Sequence, residues 1–296
     1  MSDKKRYISN RISLLLLCVL SLLLLLDICT GLFLKNLTNY EKVGIYIVIY
    51  MIPIAVYKLL SNTKTSKLIP LSFIKLRHLP FVILFGLSTS IICAFINVGS
   101  TAILGRFIDL SVNDSTVSFV SDRLFVTVLI SVILPAVCEE FLLRGVALTE
   151  YSKYGVSVSV IMTSAIFALF HGNVVAIPSL FVAGVFYAVL THLLKSVWPA
   201  VICHVINNAL ALYIANNKSF ISYLLDDALF LVMLICVIFI ILYLTLRLTE
   251  GMVDNFSGKK RLKTNTRKLA YGDPLGSVYI WVFFALSVFI CVRNAL

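Results

Sequence analysis

Three short runs in this chain place chemically capable side chains inside long apolar stretches. "EEFLLR" holds Glu139, Glu140 and Arg144, "FALFH" ends at His171 ahead of Gly172 and Asn173, and "HVINN" holds His204, Asn207 and Asn208. A buried carboxylate beside a histidine can take a proton from water and pass it to a leaving amine. A second histidine with an amide offers donors to an oxyanion. Together these groups describe acid–base hydrolysis of an acyl bond without a covalent enzyme intermediate.

Helical spacing divides the set. Glu140 and Arg144 are four apart and can pair on one face, whereas Glu139 lies about 100° away and is left free. The pair alone reads as a structural clasp. His204 and Asn208 are also four apart and share a face. Cys138 and Cys203 adjoin key residues in sequence but point about 100° away from them, which argues against a Cys–His nucleophile.

The elements that carry these residues belong in a membrane. Of 296 residues, 60% are hydrophobic and only 13% charged, with mean hydropathy +1.01. A helix needs about 20 apolar residues to cross the hydrocarbon layer. Nine stretches approach this, at 12–34, 43–60, 80–103, 124–148, 155–171, 174–194, 196–216, 228–248 and 277–293. The expected fold is therefore an all-α polytopic bundle with eight or nine transmembrane helices. A charge at the bilayer centre costs about 3 kcal/mol on insertion scales, so an ionisable residue there is a functional-site hypothesis by default.

Depth supports a shared cavity. If the fourth and fifth spans form a hairpin about Gly155, Glu139 and His171 stand sixteen residues either side of the turn and reach one level. His204 lies about 13 Å beyond Lys195 at 1.5 Å per residue, and Glu139 about 16 Å inside Glu150.

Charge sets the orientation. Lys4, Lys5, Arg6 and Arg11 precede the first span, Lys64, Lys67, Lys75 and Arg77 follow the second, and Lys259, Lys260, Arg261, Lys263, Arg267 and Lys268 follow the eighth. Positive residues stay inside, so the N-terminus, the 61–79 loop and the 249–276 loop are expected in the cytoplasm of a multi-pass cell-membrane protein. The net charge of +11 suits anionic lipid and calls for no nucleic-acid partner. Lys4–Arg6 before Leu14–Leu26 resembles a signal peptide, but no small-residue cleavage pattern follows, and the segment reads as a retained anchor. All seven cysteines lie in apolar stretches, so no disulfide framework is expected. Asp27 has no evident partner in sequence.

The three motifs, in this order and in a membrane protein, resemble EExxxR, FxxxH and HxxxN of the CAAX protease and bacteriocin-processing family, also called Abi proteins. The resemblance covers residues 121–216, flanked by an N-terminal membrane region at 1–120 and C-terminal membrane helices with a basic loop at 217–296. It implies a glutamate-dependent intramembrane endopeptidase acting on membrane-associated proteins or peptides. Glu139 would activate water with His171, His204 and Asn208 would stabilise the oxyanion, and Glu140 and Arg144 would support the site. The Lys-, Asn- and Ile-rich composition looks bacterial, where such proteins are linked to peptide maturation, bacteriocin immunity and envelope regulation.

No cofactor is expected. The alternative is zinc held by Glu139 or Glu140, His171 and His204, with a fourth position for water. The rival function is a non-enzymatic regulator binding a membrane protein partner such as a sensor kinase or envelope enzyme. A transporter is the weaker third reading, since paired repeats and broken helices are lacking.

Overall fold

The structure is a computed structural model and describes residues 3–32, 38–61, 64–107, 124–217 and 274–295. Among these residues the chain is helical, with no strand. The long helices are α1 (Asp3–Leu32), α2 (Asn39–Ser61), α3 (Leu79–Leu104), α4 (124–151), α5 (Val156–Phe170), α6 (Ile177–Leu194), α7 (Trp198–Asn216) and α8 (Val278–Ala295). Seven described helices are long and apolar enough to cross a membrane, and α5 is apolar but shorter, making a polytopic helical bundle. The expected span at 228–248 and the basic loop at 249–273 lie outside the described residues, as does most of the 104–123 connection.

Local chemistry fixes several boundaries. Thr38 and Glu41 cap α2 reciprocally: the Thr38 amide and hydroxyl both donate to Glu41 Oε2 at 2.7 Å, and the Glu41 amide donates to Thr38 Oγ1 at 3.3 Å. These bonds hold the exposed Glu41 carboxyl below its ordinary pKa. The expected hairpin between α4 and α5 turns at Gly155, with φ +133°. Helix α4 is continuous but uneven: π-helical Leu129–Ile133 and Phe141–Ala147 bracket α-helical Leu134–Glu140. Pro135 has no amide proton and its ring crowds the preceding turn, and the first wide turn lies directly before it.

Helix α5 has 15 residues and so spans about 22 Å, less than the roughly 30 Å of hydrocarbon. Backbone beyond so short a membrane helix is tolerated only if protein satisfies it. The chain itself does so. Asn173 Oδ1 accepts from the amides of Val175 (3.0 Å) and Ala176 (3.3 Å), and Asn294 Nδ2 donates to the Gly172 carbonyl at 3.0 Å.

One apolar core runs from Leu16 and Tyr50 through Phe85, Leu142 and Phe167 to Phe283. The first and last helices pack side by side in the same direction. Ser9 donates to the Pro274 carbonyl at 2.9 Å near one end, and Arg293 meets Asp27 at 2.7 Å near the other. Asp27, partnerless in sequence, thus joins the two helices. The connection after α2 is also anchored: the Val197 amide donates to Pro70 O (2.9 Å) and Trp198 Nε1 to Leu71 O (3.2 Å).

Candidate active site

The two adjacent glutamates of α4 face different neighbours. The Glu140–Arg144 clasp has both side chains fully buried, with Arg144 Nη1 donating to Glu140 Oε1 at 3.0 Å. Arg144 Nη2 donates to the Gly184 carbonyl at 3.0 Å. Gly184 permits this because α6 approaches α5 closely: a Cβ there would stand 2.9 Å from Ser164 Cα, a contact that small residues allow between membrane helices. The guanidinium also lies over the rings of Phe167 (4.6 Å to the centroid) and Tyr187 (5.4 Å).

His204 joins that clasp. Its Nδ1 lies 3.0 Å from Glu140 Oε1, the same oxygen that Arg144 contacts. With Glu140 ionised beside Arg144, the carboxylate can only accept, so Nδ1 carries the proton. The His204 ring stacks on Tyr187 (5.6 Å, 25°) and meets Phe167 edge-on (5.3 Å, 89°). The sequence reading placed His204 in one cavity with Glu139 and gave Glu140 only Arg144. The structure instead makes Glu140 the link between arginine and histidine.

Glu139 pairs with His171. Their Oε2 and Nε2 atoms are 3.8 Å apart, as the hairpin about Gly155 requires. His171 Nδ1 lies 2.9 Å from the Phe167 carbonyl, which only accepts, so Nδ1 carries a proton and Nε2 is the nitrogen turned to the carboxylate. Glu139 Oε2 is buried without a hydrogen-bond partner. The His171 side chain is 31% exposed and that of Glu139 11%, against 0% for Glu140 and Arg144. The Glu139–His171 pair is therefore more open to a water or a carbonyl than Glu140 and Arg144 are.

Glu139 is not free, as the sequence reading had it. Tyr46 of α2 donates to its Oε1 at 2.9 Å. Phe167 was the second omission: its ring lies against His171 (4.9 Å), His204 and Arg144 at once. The four-residue spacing of Phe167 and His171 was a signal for that contact. Nothing in the apolar run around Tyr46 marks it.

Asn208, one turn beyond His204, donates from Nδ2 to the Val132 carbonyl at 3.4 Å, in the first π-helical stretch. This contact uses one of its two amide protons. Among the described residues no three His, Cys, Asp or Glu side chains group as a metal would need.

Fold and site together define a polytopic helical membrane protein with a carboxylate–histidine centre enclosed by its helices. Residues 121–210 match the model of the type II CAAX prenyl endopeptidase Rce1-like family, so that stretch is similar to a family of CAAX-type endopeptidases. The match includes Glu139, Glu140, Arg144, His171, His204 and Asn208. Comparison with curated proteins and with solved structures gave no match.

Proposed function

We propose that this protein is an intramembrane endopeptidase in which Glu139 activates water. The observation that carries this reading is the partnerless, buried Oε2 of Glu139 facing the half-exposed His171 Nε2 at 3.8 Å. A water at ordinary hydrogen-bond distance from both atoms bridges that gap. Glu139 takes its proton, the hydroxide adds to the peptide carbonyl, and the proton passes to the departing amine. His204 and Asn208 supply donors to the oxyanion. Since His204 Nδ1 already donates to Glu140, its Nε2 donates only when the ring is an imidazolium, and Glu140 is the counter-ion for that state.

The substrate is a membrane-associated protein or peptide, and the setting is bacterial peptide maturation, bacteriocin immunity or envelope regulation. The test compares membrane and secreted peptides between cells making the wild type and cells making Glu139→Gln. Products absent from the variant name the substrate. Identical peptide sets would remove the protease reading, and phenotypic rescue by folded Glu139→Ala protein would favour a binding role.

The reaction is metal-free in this proposal, because His171 and His204 engage different carboxylates. Purified active protein should hold well under one equivalent of zinc and keep its activity after chelation. Stoichiometric zinc by elemental analysis, lost in His171→Ala, would reverse that assignment.

The N-terminus and the 61–79 connection are assigned to the cytoplasm of a cell membrane. Arg11 stacks over Tyr57 at 5.3 Å, near the end of α2 from which the basic connection with Lys64, Lys67, Lys75 and Arg77 departs. A cysteine replacing the exposed Lys75, on a cysteine-free background, should react with impermeant reagent only in inverted vesicles. Labelling of intact cells would turn the topology over.

A further inference from the structure

We infer that Tyr46, on α2 and outside the matched family region, is a positioning residue that fixes which oxygen of Glu139 does the chemistry. Its hydroxyl donates to Oε1 at 2.9 Å, leaving Oε2 as the oxygen that faces His171. A carboxylate at the end of a flexible glutamate side chain could otherwise rotate and exchange its oxygens. A charge-assisted bond to one of them removes that freedom.

The tyrosine is itself held. The Tyr50 ring lies one turn along α2, its centroid 4.9 Å from that of Tyr46, and the two hydroxyls stand 3.5 Å apart. Tyr50 is buried in the core. The register of α2 is set upstream by the reciprocal cap of Thr38 and Glu41, so Tyr46 enters the site about two turns from a fixed start. The ionisable groups around Glu139 are Tyr46 and Tyr50 from α2, His171 from α5, His204 from α7, and Cys138, Glu140 and Arg144 from its own helix. Of these, Tyr46 is the one whose hydroxyl is hydrogen-bonded to Oε1. The hydroxyl moves no proton in the reaction; it acts through the carboxylate.

This assignment rests on the protease reading for its effect on rate, but not for the contact itself, and the test separates the two. The first measurement is infrared difference spectroscopy of the full-length protein in lipid, with the Glu139 carboxyl band identified as the one lost in Glu139→Gln. Tyr46→Phe should shift that band, and 3-fluorotyrosine at position 46, a stronger donor of nearly the same shape, should shift it the opposite way. The second measurement is the rate of appearance of the wild-type-specific peptides in membranes, which Tyr46→Phe should slow by about tenfold to a hundredfold, as loss of a hydrogen bond to a charged group does. A Glu139 band that stays put in both tyrosine variants would overturn the inference, as would full-rate release by Tyr46→Phe. Band shifts without any product that depends on Glu139 would keep the contact and overturn the protease reading instead.

Discussion

Replacing Glu139 by Gln should lower proteolysis by about a hundredfold to ten-thousandfold, the usual worth of a positioned general base, and leave the protein folded and inserted. Gln has the same shape, and its carbonyl oxygen can still accept from Tyr46 Oη in the 2.9 Å position. What it loses is the capacity of Oε2 to take a proton. His171→Ala should have an effect of similar size, since it removes Nε2 from the far side of the 3.8 Å gap. Because the two act on one water, the double variant should be little worse than either single one. The measurement is peptide release in membranes carrying matched amounts of inserted protein. Residual activity above about a tenth in Glu139→Gln would remove it from the general-base role, given the range above.

Arg144→Ala should be the most destabilising substitution in the site. It strands Glu140 with both side chains of the pair at 0% exposure, and breaking such a buried pair costs about 3–5 kcal/mol. It also removes the donor to the Gly184 carbonyl and the cation lying over Phe167 and Tyr187. Activity should fall with stability, because Glu140 also accepts from His204. A melting comparison of Arg144→Ala and Glu139→Gln in one detergent checks the assignment. Arg144→Ala melting like wild type while Glu139→Gln collapses would mean that the two glutamates have been given each other's roles.

Periodic features carried far in the sequence. Spacing of four joined Glu140 to Arg144, and equal counts from Gly155 brought Glu139 level with His171. Hydropathy placed most of the described helices within a few residues, as with α5, expected at 155–171 and found as Val156–Phe170, whereas α1, expected from residue 12, begins at Asp3. Tyr46 escaped because its role depends on which face of α2 meets α4 across 93 residues of sequence, and a tyrosine in an apolar run has no period of its own. The same holds for Asp27 and Arg293, 266 residues apart. The contact of His204 with Glu140 was not legible, since a 100° step between adjacent glutamates does not say which faces α7.

The bond from Asn294 to the Gly172 carbonyl has a consequence in time as well as in space. Gly172 sits at φ +58°, and a methyl group there would stand 2.7 Å from Ile290, so the backbone just past His171 is moulded against the final helix. That helix is synthesised after both members of the Glu139–His171 pair, Asn294 standing 122 residues beyond Gly172. The support behind His171 therefore waits for α8. A chain that stops short of α8 lacks part of the scaffold behind its Glu139–His171 pair, and the order of translation sets the order in which that pair is held.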